Sequence, residues 1–548
     1  MLDADKIMKR FEALESQRGQ WDQPWQMCAE YLMPGLGGHK RKSGQVFDST
    51  APLALRRFAA AMESFLIPRT QKWHSLVTGI PEVDEDPESA AWLERLRDLM
   101  FKTRYAPKAN FADQMLEAFI SLGVFGTAVV FVDDDLGYGL RYQCIPLSEV
   151  YLANDGHGRV DTVFRWYKLS ARQALQEFGL DLPDDIKRDA EDPRRMENQH
   201  EFIHGVFPRH EIDKSRQDAR NLPVASIHIA KAARRLVRES GYRIMPYAVS
   251  RFTVAPGEVY GRSPAMEVMP DIVQLNAMKK TVLRAAEKIV NPPLLTPEDD
   301  ILNSFSLQPG SINYGGLDDQ GRQRVVPLQL GANLPIGLEL MEQSRQAINE
   351  AFYNNLFQVL VESPQKTATE VLEIAQEKAQ LLAPAMGRQQ SELLRAVIDR
   401  ELDILSCGGA LDTLPPAPYD LSDIQPRYET AMAQALNGRE GQAILSAFAA
   451  LSTLAQADPS VVNLVDCQAA GRAVWQSFGA PMKVTRNQKS MVLKELESGM
   501  EILGSVLDST GLSDSQALQE SAAFEGLGSE GGMEAILKAG AANVINGG

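Results

Sequence analysis

The stretch VYGRSPAMEVMPDIVQLNAMKKTVLRAAEKIVNPPLLTP, residues 259 to 297, constrains the fold more than any other segment of the 548-residue chain. Ser263 followed by Pro264 reads as an N-cap with proline at the first helical position, where a missing N–H costs nothing. A helix is expected from 263 to 290, with Pro270 inside its pattern and the pair Pro292 and Pro293 ending it. Ala265, Val268, Ile272, Leu275, Val282, Ala286 and Ile289 recur in steps of three and four, interrupted at Lys279. That is the seam of a helix packing lengthwise on others, and neighbouring copies of the chain are expected to cover it. Lys280, Arg284 and Lys288 form a second stripe at i, i+4 and i+8. Alone, the stripe reads as a solvated face or as partners for acids such as Glu339, Glu342 and Glu350. In a ring of such helices it would face a central channel.

The surrounding chain is mixed. Helices are expected over 1–20, over TAPLALRRFAAAMESFLIP with Leu55, Ala59, Met62 and Leu66 on one face, and over NFADQMLEAFISLG, closed by its glycine. TAVVFVDDDLGYGLRYQCIP reads as a β-hairpin, and HEFIHGVFP, ASIHIA and YAVSRFTV extend the strand content to about residue 253. Beyond the double proline, PGSINYGG and RVVPLQL read as strands joined by GLDDQG, a small insertion before a second helix that starts at Leu334-Pro335 and runs to about Phe357. QVLVESPQK is a loop. Thr367 and Glu370 form a capping box for a helix through Leu405, kinked or broken at Pro384. CGGALDTLPPAPYD is a linker, 428 to about 508 is helical and alanine-rich, and the Gly/Ser/Ala-heavy tail from 509 is expected to be loosely ordered.

Composition excludes several classes. A formal net charge of −16 and a pI near 5.1 do not fit a protein that grips nucleic acid through a basic body. Cys28, Cys144, Cys407 and Cys467 form no CxxC pair, so neither a disulfide framework nor a zinc ribbon is expected, and folding in a reducing cytoplasm is the natural reading. No leader-like segment or membrane-length apolar run stands out. No GxxxxGK[ST] or GxSxG motif is present. His39, Lys40, Arg41 and Lys42 read as a solvated loop rather than a nucleic-acid site.

One motif points to metal chemistry. In HEFIHGVFPRH, residues His200, Glu201, His204 and His210 fall on HExxHxxxxxH spacing, which on a helix would place two imidazoles on one zinc with the glutamate as base, giving a metallohydrolase. The neighbours Phe202, Ile203, Gly205, Val206, Phe207 and Pro208 favour a strand instead. On a strand, His200 and His204 would stand roughly 13 Å apart, beyond the reach of one ion. No metal site is therefore expected.

Five segments carry a family resemblance: RGQWDQPWQMCAEYLMPG, FDSTAPLALRRFAAAMESFLIPRTQKWHSL, VYGRSPAMEVMPDIVQLN, NPPLLTP and KTATEVLEIAQEK. Together, in this order, they resemble the portal proteins, or head-to-tail connectors, of short-tailed phages of the podovirus type, over roughly residues 15 to 430. The resemblance implies an α+β, predominantly helical subunit with wing, stem, clip and crown regions. These would be a wing over 1–262 with 367–427, stem helices over 263–290 and 335–357, and a clip over 291–334. A tunnel loop over 358–366, a crown-like region over 428–508 and a C-terminal tail over 509–548 would complete the subunit. It implies a homo-oligomeric ring, typically a dodecamer, at one capsid vertex of the virion, assembled in the host cytoplasm. Its partners would be double-stranded DNA passing through non-specifically, the terminase large subunit, major capsid and scaffolding proteins, tail adaptor proteins and internal core or ejection proteins. Lys280, Arg284 and Lys288 would line the channel. The tunnel loop would be Gln358, Val359, Leu360, Val361, Glu362, Ser363, Pro364, Gln365 and Lys366, and Asp318, Asp319, Arg322 and Arg324 would dock partners on the clip. The resemblance implies no enzyme activity and no cofactor.

Overall fold

A computed structural model describes residues 3–34, 46–84, 86–135, 139–209, 212, 216, 218–291, 293–295, 306, 311–312, 317, 320–323, 325–327, 334–355, 383–409, 420–429, 441, 443–451, 470–471 and 474. The chain divides into two compact units, Met1–Gly479 and Ala480–Gly548, and every described residue lies in the first.

Helix α1 (Ala4–Leu32) is capped by Asp3, whose carboxylate accepts from the Asp5 amide at 3.0 Å. One stripe of it, Ile7, Phe11, Leu14, Trp21, Trp25 and Leu32, is buried. The stripe carries the helix through Pro24, past the expected end near residue 20. An interior proline costs about 3 kcal/mol, which Trp21 and Trp25 offset by stacking on each other and closing on Tyr260. Helix α2 (Thr50–Leu66) buries Leu55, Ala59, Met62 and Leu66 as its periodicity requires. Then come β1 (His74–Val77), α3 (Pro81–Asp84), and α4 (Pro87–Arg104), which Asp86 caps. Helix α5 (Phe111–Phe125) runs through Gly123, where a Cβ would lie 2.6 Å from Leu55 of α2, so the expected closing glycine is instead a site of close helix approach. The closing residue is Gly126, left-handed at φ +74.

Strands β2 (Thr127–Asp135) and β3 (Gly139–Cys144) form the expected hairpin. Next, β4 (Val150–Asn154), β5 (Val160–Ser170), β6 (Gln199–Pro208), β7 (Val224–Ala230) and β8 (Arg235–Tyr242) pair antiparallel in chain order as a five-stranded sheet. Helices α6 (Ala171–Phe178) and α7 (Asp184–Glu191) fill the excursion between β5 and β6. Strand β9 (Tyr247–Arg251) returns to β2, giving a second sheet of order β3-β2-β9. Strands β6, β7 and β9 coincide with the three β-rich runs of the sequence. A large apolar core joins α2, α4, α5 and the three-stranded sheet to the helices that follow.

The helix expected over 263–290 is two helices. Short α8 (Pro264–Glu267) follows the Ser263 cap, the chain leaves helical geometry at Val268 (φ −103, ψ 14), and α9 (Met269–Val290) restarts with Pro270 in its first turn. Proline fits a first turn and not an interior, so the break precedes it by two residues. Past Asn291, β10 (Leu294–Leu295) pairs antiparallel with β11 (Val326–Pro327), which closes the base of the insertion. Helix α10 (Leu334–Ala351) stops short of Phe357, with left-handed Tyr353 (φ +57) just beyond its end. After a helical turn over 383–388, Gln389–Leu394 is a π-turn that leads into α11 (Arg395–Cys407). Among the described residues the irregularity expected at Pro384 falls at this π-turn, where Gln389 bonds Ser250 and the Arg251 carbonyl, and Glu392 pairs with Arg251 at 2.8 Å. Strand β12 (Gln425–Tyr428) pairs with β1.

Candidate nucleic-acid interface

The start of α8 is fixed from two sides. Ser263 Oγ accepts from the Met266 amide at 3.0 Å and donates to the Val124 carbonyl at 2.8 Å, while the Gly261 amide donates to Thr127 Oγ1 at 2.9 Å. The cap therefore both starts the helix and ties it to the end of α5.

Helices α9 and α10 run antiparallel. Gly337 lies beside Val282, and the extended residues 47–48 bridge Asn276 to Arg345. Phe47 donates its amide to Asn276 Oδ1 at 2.6 Å, and Asp48 meets Arg345 at 3.0 Å. Burial works against the Asp48 carboxyl, but bonds from Thr50 and the Arg345 guanidinium hold it below its ordinary value. Nothing in FDST marks this strap except the position of Asp48 two residues before the first turn of α2. Its role depends on α9 and α10 being adjacent.

The seam divides along α9. Ala265, Val268, Ile272 and Leu275 are buried by this chain's own core, with Met341, Ile348 and Phe352 in the same cluster. Val282 and Ala286 are half-buried, and Ile289 is exposed. The seam expected to await neighbouring copies is thus covered within the subunit over its first half. Leu283, Ile289, Val290, Leu338 and Leu340 are left exposed at the other end of the pair.

Lys280, Arg284 and Lys288 are all exposed. Among the described residues no ion pair engages them, and Lys280 stands 5.6 Å over the Phe47 ring. Glu339, Glu342 and Glu350 are exposed too, but Glu342 is paired with Arg345 at 3.2 Å. The antiparallel register sets Glu342 and Glu350 beside the first half of α9, while Arg284 and Lys288 occupy the second half. In-register pairing of the whole basic stripe with these acids is geometrically closed, except for Lys280 with Glu339.

Of the other expected site residues, the tunnel loop from Gln358 to Lys366, and Asp318, Asp319 and Arg324, lie outside the described residues, as do Thr367 and Glu370. Arg322 is exposed beside the bridge between Leu317 and Gln323.

The HExxH motif lies on β6. His200 meets Asp189 at 3.2 Å and Glu201 pairs with Lys168 and Lys231. His204 is buried with both nitrogens engaged, Nδ1 with the Tyr247 hydroxyl at 2.8 Å and Nε2 with Ser226 Oγ at 3.0 Å. Its ring stacks on His228 with centroids 4.1 Å apart. Burial, then the Arg238 and Arg165 charges, push His228 down to about 3, and burial followed by His228 keeps His204 well below its ordinary value. Neither His200 nor His204 is set on a helix face as zinc-hydrolase chemistry requires. His210 lies outside the described residues. Among the described residues no three His, Cys, Asp or Glu side chains converge as a metal site, and no helix is long and apolar enough to cross a membrane.

Helices α9 and α10 thus lie side by side on either side of residues 291–334, and the start of the pair is tied to the body of the chain. Residues 4–485 match the bacteriophage head to tail connecting protein family, and the chain belongs to that family. It is similar to a probable portal protein of Bordetella phage BPP-1, 29% identical over 477 residues covering 84% of each chain. It is also similar to the portal protein of Salmonella phage epsilon15, 26% identical over 89% of this chain and 90% of that one. The portal protein of Enterobacteria phage T3 is 21% identical over 96% and 98%. Among solved structures, the neck of an empty GTA particle overlaps 73% of this chain and 87% of that one at 10% identity, with a TM-score of 0.36.

Proposed function

We propose that the chain is the subunit of a phage portal: a homo-oligomeric ring at one capsid vertex that forms a channel for double-stranded DNA and carries no catalytic activity. The family match along residues 4–485 carries this reading. In it, α8 with α9, and α10, are the stem, 291–334 is the clip, 358–366 is the tunnel loop, and the two-sheet body with α11 is the wing. The clip, through residues such as Asp318, Asp319, Arg322 and Arg324, would meet the terminase large subunit during packaging and tail adaptor proteins afterwards. The body would meet capsid and scaffolding proteins, and the crown-like end any internal core or ejection proteins.

Charge supports a conduit rather than a clamp. Each phosphate that a protein neutralises adds to a salt-dependent affinity, so a channel through which DNA slides must offer few fixed cations. A chain of net charge −16 that sets Lys280, Arg284 and Lys288 along one exposed face of α9 fits that condition. Electron microscopy of the purified protein, viewed down the symmetry axis, tests the reading. Rings with a central hole wide enough for duplex DNA are expected, and a monomer or a closed assembly without a hole would refute it.

A further inference from the structure

A cluster of charge is sealed in the core where α4, β3 and α11 meet β1. Arg104 and Glu401 are both fully buried and paired through two contacts, Nε to Oε1 at 2.9 Å and a terminal guanidinium nitrogen to Oε2 at 2.5 Å. Tyr142 of β3 donates to the same carboxylate at 2.5 Å. The guanidinium lies over Trp73 and Phe101, at 4.6 and 4.9 Å from the ring centroids. Its remaining arm reaches Nε2 of His74, also fully buried, at 3.0 Å.

Arginine has no acceptor and does not lose its proton, so His74 Nε2 must accept and the ring must be neutral, with its proton on Nδ1. That Nδ1 meets no side-chain acceptor and faces only the backbone at Ser75. The titratable and charged groups around His74 are Arg97 and Arg104 of α4, Tyr105 just beyond its end, Glu401 of α11, Tyr142 of β3, and Tyr428, which stands opposite it on β12. Glu401 is the one carboxylate among them, and Arg104 already occupies both its oxygens. Burial first, then the Arg104 charge, hold His74 well below its ordinary value, with the backbone at Ser75 opposing.

We propose that this knot is an acid-sensitive latch, in which a proton on His74 sets two donors and two cations face to face and parts α11 and β12 from β1, α4 and β3. One part of the seam that opens is weak. Strands β1 and β12 form an isolated two-stranded sheet of four residue pairs, and such a pair is marginal without support from its surroundings. The segment it holds returns from far along the chain, so its release breaks no strand pairing within the five-stranded sheet or the β3-β2-β9 sheet, although α11 leaves the face of β2 and β3 on which it packs.

Amide hydrogen exchange on the full-length assembled protein tests the latch. From pH 7 to 5, after correction for intrinsic exchange, the opening constant of residues 395–407 and 425–428 rises by up to about tenfold per pH unit below about 6.5, while that of α5 stays constant. His74→Gln keeps an acceptor for Arg104 but takes up no proton, and its opening is independent of pH. If wild type shows no such rise, or if His74→Gln keeps it, the latch is refuted, and in the second case His204 or His228 carries the response. Should His74→Gln fail to fold, exchange at the histidine Cε1 position in wild type follows His74 directly. Proton uptake that does not coincide with opening of these amides overturns the proposal equally.

Discussion

At the scale of single residues, the joint between body and helix pair depends on two glycines facing each other. Gly126 is left-handed at φ +74, and a Cβ there would lie 2.5 Å from the Gly261 carbonyl oxygen. A Cβ on Gly261 would press on the Gly126 oxygen in turn. Gly158 is left-handed as well, φ +79, but open space surrounds it. The pair separates conformational cost from steric cost. Gly158→Ala should lower stability by about 1 kcal/mol for the left-handed backbone alone. Gly126→Ala should cost about 3 kcal/mol or more once the backbone clash is added. Denaturant midpoints of the two variants check this, and equal losses would mean that the joint relaxes around an added methyl.

At the scale of elements, α9 has two halves with different tasks. Ile272 and Leu275 are buried against the chain's own core, a contribution of roughly 1.5–3 kcal/mol each. Val290 is 85% exposed, and Leu283 and Ile289 are exposed beside it. Ile272→Asp should therefore unfold the subunit, because a carboxylate would be buried without a partner. Val290→Asp and Leu283→Asp should leave circular dichroism and melting nearly unchanged but loosen the ring on sedimentation. The reverse result, a folded Ile272→Asp subunit that merely fails to assemble, would return the seam to the intersubunit role that its periodicity alone suggests.

For the molecule as a whole, among the described residues the buried His74 and His204 and the half-buried His228 should govern the response to mild acid. His74, His204 and His228 are held below their ordinary values by burial first and neighbouring charge second, whereas in the unfolded chain they titrate near 6.5. Below 6.5 the unfolded state binds protons that the folded state refuses, so stability falls with pH. Each histidine costs up to about 2 kcal/mol between pH 7 and 5. Urea midpoints measured across that window should drop steadily, and a flat profile would mean that the rings take up protons in place. Assembly and DNA handling separate in another experiment. Neutralising Lys280, Arg284 and Lys288 together should leave rings intact on sedimentation, since exposed charges add little to stability, and should change packaging or retention of DNA in a salt-dependent way. Rings that fall apart while DNA handling stays normal in those remaining would assign the stripe to the intersubunit contact.

What the sequence determined by itself is local. The Ser263-Pro264 helix start, the stripe of α2, the hairpin of β2 and β3, and the strand character of HEFIHGVFP depend on capping, periodicity and side-chain shape over a few residues, and each stands in the fold. The order of five motifs carried the family. What the tertiary structure decided depends on residues far apart in the chain. Helix α1 passes Pro24 because Tyr260 waits on its other side, and Gly123 is interior to α5 because α2 presses on it. Strands β4, β5 and β8 take their places by pairing, and the seam of α9 is half spent inside the subunit because α10 returns along it. The Arg104–Glu401 knot joins residues 297 positions apart. Periodicity shows that a face will be buried but not by what, because the covering surface belongs to another part of the chain.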